Sequence, residues 1–314
     1  MRFSRSRQST LLGVDINAAT VRLLALDRQH GRYHIQGYGV ASVTAEVMLD
    51  NHIVDTETLG GIVRQALQHN SLHYQRAVVA VSGSAVIGKP LSLPAGLSAR
   101  DIETLVEQQA GQHLPFPPDE ANIDFVLQEP SVLDPTKVDV LLVATHYRYI
   151  DERIAVLQAA GLDCEIVDIE PYAISNAWTQ CIQPYALPVD ADTLSAVVTI
   201  GGYTSTLNIL HGSQLIYTEE QSFGCTEPLD KHSELAEKPT EAVALQRTVL
   251  LANMAQQIHQ GLQHFYSASD YAEVGLLLLA GEGALLSGIV EMMQKQMDMP
   301  VLLADPFAQM SFAE

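Results

Sequence analysis

Cysteine is scarce in this chain. Three occur in 314 residues, Cys164, Cys181 and Cys225, standing 17 and 44 residues apart. That spacing matches no zinc or redox motif, and the three are read as reduced thiols of a cytoplasmic protein. Basic residues are also few: 17 Lys and Arg against 37 Asp and Glu give a formal net charge of -20. Such a field repels nucleic acid and anionic lipid, so neither is expected as a broad-surface partner. No apolar run is long enough to cross a bilayer. The most apolar stretch, "VGLLLLAGEGALLSGIV", is broken by Glu282 and four glycines and is punctuated like a strand, a turn and a helix. The opening "MRFSRSR" lacks the apolar centre of a secretory signal. Its arginines, Arg2, Arg5 and Arg7, would each contribute about 1 kcal/mol beside anionic lipid, too little to anchor a protein, and the segment reads as a frayed terminus. The eleven histidines are scattered, and His259 and His264 lack the glutamate of a metalloprotease helix.

What is present is a globular composition, 47% hydrophobic with a mean hydropathy of +0.09, long enough for two cores. It also contains an internal echo. "VDINAATVRLLALDRQHGRYHIQGYGVAS" can be laid on "VTIGGYTSTLNILHGSQLIYTEEQSFG", which puts Asp15 on Thr199 and Asn17 on Gly201. Each copy reads as an apolar strand, a turn of small residues, a second strand, a Gly-containing hairpin and a third strand. The two "HG" hairpins coincide only with a three-residue gap. A start that recurs half a chain later predicts two related α/β lobes, each offering a tight turn to a shared cleft.

Between the echoes, "ETLGGIVRQALQHNSL" has helical spacing and "RAVVAVSGSAV" reads as a buried strand. An insert follows, "LSARDIETLVEQQAGQHLPFPPDEANIDFVLQE", with a helix capped by Ser98 and carrying Asp101 in its first turn. "KVDVLLVATH" is a strand, "RYIDERIAVLQAAGL" a helix closed by Gly161, and "DCEIVDIE" a strand. "TEAVALQRTVLLANMAQQIHQGLQHFY" is a long amphipathic helix.

Eight segments in order resemble the PilM family, cytoplasmic actin-like proteins of type IV pilus assembly related to the cell-division protein FtsA. They are "LLGVDINAATVRLLAL", "AVVAVSGSAV", "LPAGLSARDIE", "HLPFPPDEANIDF", "VDVLLVATHYRYIDERIAVLQAAGL", "VDIEPYAISNA", "LAGEGALLSGI" and "ADPFAQM". Singly such motifs are weak, and together they span the chain from about residue 10 onward. The resemblance implies a duplicated, ribonuclease H-like α/β fold of the actin type with an inserted FtsA-type subdomain. The expected limits are 10–85 with 166–190 for the first lobe, 86–165 for the insert, 191–223 with 270–314 for the second lobe, and 224–269 for a short insert of its own. It further implies a scaffold at the cytoplasmic face of the inner membrane, peripheral through its partners. Those partners are the N-terminal tail of a PilN-type inner-membrane protein and other pilus platform proteins. A metabolic reaction is not implied. Three other readings remain, a partner-binding scaffold without nucleotide, an FtsA-like polymer former and an ATP-dependent phosphotransferase of the same superfamily.

In such a fold the cleft would hold ATP and Mg²⁺ through three motifs. Asp15, Asn17, Ala18, Ala19, Thr20 and Arg22 form the first, Thr199, Gly201, Gly202, Tyr203 and Thr204 the second, and Gly281, Glu282 and Gly283 the third. Glycine lets backbone N–H groups approach a polyanion, and a carboxylate holds a hydrated Mg²⁺. The third motif fits an adenosine site. In the second, Thr199 stands where the family has aspartate, and a hydroxyl neither neutralises a metal ion nor positions a water as a carboxylate does. In the first, Asn17 replaces glycine, and asparagine is among the few residues that tolerate positive φ. Arg22 stands where the family often has lysine. The expectation is weak ATP binding or none, with hydrolysis too slow to matter. For the partner, Leu93, Pro94, Phe116, Asp119 and Glu120 in the insert supply an apolar groove with an acidic rim.

Overall fold

The computed structural model describes residues 11–312 except 45, 50–51, 131–133, 135, 183–192 and 226–240. The N-terminal arginines, the expected limit near 190 and much of the expected 224–269 insert therefore lie outside the described residues. In chain order the elements are β1 (Leu12–Ile16), β2 (Thr20–Gln29), β3 (Arg32–Ser42), a short hairpin of β4 (Met48–Leu49) and β5 (His52–Ile53), α1 (Thr56–His69), β6 (Arg76–Val81), β7 (Val86–Pro94), α2 (Ala99–Ala110), β8 (Ala121–Pro130), β9 (Lys137–His146), α3 (Tyr147–Ala160), β10 (Asp163–Ile169), α4 (Glu170–Ile182), β11 (Leu194–Ile200), β12 (Ser205–His211), β13 (Gln214–Gln221), α5 (Glu241–Ala268), β14 (Val274–Ala280), α6 (Ile289–Gln296), β15 (Val301–Leu303) and β16 (Ser311–Phe312).

Two sheets repeat one topology. The first has the order β10-β6-β1-β2-β3-β16 and the second β13-β12-β11-β14-β15. In each, an antiparallel meander (β1-β2-β3, β11-β12-β13) is extended by two parallel strands (β6 and β10, β14 and β15). The hairpin between β2 and β3 turns at His30 and Gly31, both with positive φ, as a two-residue hairpin turn requires. Alternation along β1 and β2 sends Leu12, Val14, Ile16, Val21, Leu23 and Ala25 to one face, where they pack with Leu59 and Val63 of α1 and Val156 and Leu157 of α3. Asp55 starts α1 by accepting the Thr58 amide, and α3 ends at Gly161 in the left-handed region. The second core gathers Ala196, Val198 and Ile200 with Leu277 and Leu279 against Met254, Ile258 and Phe265 of α5 and Met293 of α6. A third, three-stranded sheet, β7-β9-β8, packs Leu91, Leu93, Val140 and Leu142 on Ile102 and Val106 of α2.

Three expected limits differ from what these elements do. The small sheet ends at His146, not 165, because α3 is buried against α1 and β10 pairs with β6 in the first sheet. The long helix α5 is no insert, since its apolar face fills the second core. The chain end is not confined to the second lobe, because Ser311–Phe312 pairs with β3 of the first sheet.

Candidate functional site

The echoed turns face each other, and Asp15, Thr199 and Ala280 line one cavity of about 790 Å³. In the first turn the Asn17 amide donates to the Thr20 carbonyl at 3.0 Å. The Asn17 side-chain oxygen accepts the amides of Ala19 and Thr20, each at 2.9 Å. Ala18 packs against the first core. Asn17 is not held at positive φ, a conformation that among the described non-glycine residues only His30 and Ser71 adopt. Its role is that of an Asx turn: the amides that a bound phosphate would use are already satisfied by the chain's own oxygen.

The second turn closes the same way through its backbone. The Gly201 amide donates to the Thr204 carbonyl at 3.0 Å, and a Cβ at Gly201 would lie 2.8 Å from that oxygen. The Cys225 amide donates to the Gly201 carbonyl, while a Cβ at Gly224 would lie 2.1 Å from the Gly202 carbonyl oxygen. Tyr203 is exposed, and Thr199 sits in the register position of Asp15, one residue before its strand ends. In the third motif Gly281 has positive φ, and Cβ atoms on Gly281 and Gly283 would collide with Ile200 at 2.4 and 2.2 Å. Those glycines are required for the turn to lie on the end of β11.

Arg22 joins the first and third motifs. One guanidinium nitrogen donates to Asp15 Oδ2 at 3.1 Å and another to Glu282 Oε2 at 3.3 Å. With the arginine about a third exposed, each pair is worth roughly 0–1 kcal/mol. Glu282 Oε1 is shielded and has no hydrogen-bond partner among the described residues. A second bridge runs from the Ser82 and Ser84 hydroxyls, after β6, to Glu220 Oε2 on β13 at 2.7 and 3.0 Å. Behind Asp15 lies Glu170, whose pKa is raised to about 7 by burial, then by the negative charges of Asp15 and Glu220, against the opposing Arg153. Arg153 is itself 1% exposed and donates to the carbonyls of Ala80 and Tyr149. The carboxylate expected to hold Mg²⁺, Asp15, is already paired with a guanidinium. Sequence reasoning missed Glu170, Glu220 and Arg153. For Glu170 a signal existed, because "DIEPYAI" takes a strand straight into a helix at the cleft end of the sheet.

The sequence profile of the family described as type IV pilus assembly protein PilM matches residues 13–314. This chain belongs to the PilM family. A solved structure titled as a PilM-PilN type IV pilus biogenesis complex is similar at 18% identity and a TM-score of 0.74, covering 96% of this chain and 90% of that one. The ethanolamine utilization protein EutJ from Carboxydothermus hydrogenoformans is similar at 15% identity and a TM-score of 0.56, with 94% and 84% covered. The fold of this PilM-family chain is actin-like. Among the described residues no helix is long and apolar enough to cross a membrane.

The residues expected to hold a partner do not all meet in this PilM-family chain. Leu93 is 1% exposed and belongs to the core of the small sheet, so it presents nothing to a tail. Pro94 is exposed but pairs with Lys137 at the start of β9, whereas Phe116 packs edge-on against His146 at its end. At about 3.3 Å per residue those ends lie roughly 30 Å apart. Phe116, Asp119 and Glu120 do share one place, where the small sheet meets the first lobe. There the His146 ring lies 4.8 Å from that of Tyr147, and Glu120 Oε2 is 3.2 Å from His146 Nε2. Asp119 and Tyr147 are exposed beside them.

Proposed function

We propose that this chain is a scaffold of a type IV pilus assembly platform, held at the cytoplasmic face of the inner membrane by its grip on the N-terminal tail of a PilN-type protein. Membership of the PilM family carries the reading, and the solved PilM-PilN complex of the same fold supports it. The tail docks where Phe116, His146 and Tyr147 form an aromatic step rimmed by Asp119 and Glu120. An apolar tail with basic ends suits that step, its apolar part on the rings and its charges on the rim.

The cleft binds ATP–Mg²⁺ weakly or not at all, and the chain turns over no metabolite. In support, the Asn17 side chain already takes the Ala19 and Thr20 amides of the first turn, and Asp15 is already paired with Arg22. Calorimetric titration of Mg-ATP into wild type and Thr199→Asp tests this part. Tighter binding by the variant is expected, and equal binding would show that the missing carboxylate is not what limits the site.

Fluorescence anisotropy of a labelled PilN-type tail peptide tests the scaffold. Binding should fall several-fold between low and high salt yet persist, because salt screens the rim and leaves apolar contact intact. Phe116→Ala should cost on the order of tenfold, about 1.4 kcal/mol. Absence of binding would remove the scaffold reading, and indifference to salt would remove the acidic rim.

A further inference from the structure

The cleft is acidic on both sides. Asp15, Asp168 and Glu170 line the cavity from the first sheet and from the helix that leaves it, and Glu282 reaches in from the turn after β14. Among the described residues that line the cavity, Arg22 alone is basic. Its guanidinium divides its donors between the lobes. One nitrogen goes to Asp15, its cross-strand partner on β1, and the other to Glu282, 260 residues further along the chain.

A second contact between the lobes lies beside the crossing of the chain. There α4 leaves the first sheet and packs Trp178 on Val197, Leu276 and Leu278 of the second. The turn after β6 is wedged against its start, since a Cβ at Gly83 would lie 2.7 Å from Pro171 Cγ and 3.7 Å from Thr218 Oγ1. The Ser82 and Ser84 hydroxyls on either side donate to Glu220 of β13. In the first sheet β2 is two strands from β6, and in the second β14 is three strands from β13. At about 4.8 Å per strand the Arg22 bridge is therefore roughly 10 Å or more from this packing. Close packing at the crossing is a pivot, and the ion pair away from it is a clasp.

We propose that Arg22 is a built-in counter-cation that clasps the two lobes shut over the cleft in the absence of any ligand. Without it, Glu282 would face Asp15, Asp168 and Glu170 with no positive charge among the side chains that line the cavity, and like charges at close range favour separation. With it, one planar fork serves a carboxylate of each lobe, which a single ammonium does less well. A phosphate entering the cleft competes with two carboxylates for the same guanidinium, so the contact is autoinhibitory. It biases the lobes without locking them, because both ion pairs are partly exposed. The inference holds whether or not the cleft takes ATP, and it makes no use of the tail-binding step at Phe116.

The test measures the distance between the lobes in the full chain without nucleotide. Spin labels on Glu57→Cys of α1 and Gln246→Cys of α5, both exposed positions, report it by double electron–electron resonance once the three native cysteines are replaced by alanine. Arg22→Gln and Glu282→Gln then remove the bridge from either lobe. Each should shift the ratio of short to long distances towards long by about two- to fivefold, the range open to a partly exposed ion pair. The double variant should shift no further than the larger single one, because both remove the same contact. Arg76→Gln, which loses a pair with Glu165 inside the first sheet, should leave the distances unchanged. Unchanged distances in both single variants, or shifts that add in the double variant, would overturn the proposal. So would an equal shift in Arg76→Gln, since loss of any positive charge would then open the cleft. Titration with Mg-ATP reports separately on the nucleotide reading, so either can fail without the other.

Discussion

Glu170 opens α4 directly after β10, largely withdrawn from water, and has Asp15 and Glu220 as further neighbours of its own sign. Its folded pKa of about 7 lies above the ordinary 4.5, with burial the first cause and Arg153 only partly opposing it. Between those values the folded chain binds a proton that the unfolded chain has released. The stability it contributes is therefore complete below pH 4.5 and lost as pH rises to about 7. Glu170→Gln keeps the neutral shape without the titration. Thermal unfolding followed from pH 5 to 8 should show the variant gaining on wild type as pH rises, by a few kcal/mol at most, since a pKa unit is worth about 1.4 kcal/mol. Parallel curves would place the proton elsewhere. Asn17 teaches the complementary lesson. Its sequence position predicts a backbone role, whereas its side chain provides the fit, because an Asx turn needs only an ordinary φ.

Elements were legible where their periodicity was strong. Alternation in "LLGVDI" and "VRLLAL" and the repeat near residue 199 predict the paired sheets, and the register confirms that Asp15 and Thr199 are equivalent. The limits that failed share a physical cause. β9 runs into α3 without a loop, His146 ending one and capping the other, so nothing in the sequence marks the return to the first lobe. Helix α5 follows a long stretch without strand pattern, which disguises a crossover helix as an insertion. Strand β16 is two residues long, too short for alternation to show. The contact of α1 with α3 was equally invisible, and it depends on one of two adjacent glycines. A Cβ at Gly60 would lie 2.4 Å from Ala159 Cβ and 2.9 Å from the Val156 carbonyl, whereas Gly61 has nothing within 4 Å. Alanine in place of glycine in a helix gains about 0.5–1 kcal/mol when space allows, and overpacking costs about 1–3 kcal/mol. Gly61→Ala should therefore stabilise and Gly60→Ala destabilise, the two diverging in urea midpoint. Equal shifts of the same sign would contradict the close approach of these helices.

At the scale of the molecule, the formal charge of -20 acts on stability and on binding with opposite signs. An excess of like charge repels itself more in the compact state than in the unfolded one. The ion pairs on the described surface, such as Arg22 with Asp15 and Arg76 with Glu165, are exposed enough to be worth only about 0–1 kcal/mol each. Screening therefore removes more repulsion than attraction. At pH 7.5 the thermal midpoint should rise between 20 and 200 mM NaCl, each kcal/mol appearing as about 2–4 °C in a chain somewhat smaller than this one. The same salt should weaken capture of a basic-ended tail, because there the excess charge attracts. Near the isoelectric point of about 4.8 the field vanishes, and with it both salt effects. A midpoint that falls with salt at pH 7.5 would mean that the surface pairs outweigh the net charge. A salt response unchanged at pH 4.8 would mean that sodium and chloride act through specific binding and not through the field.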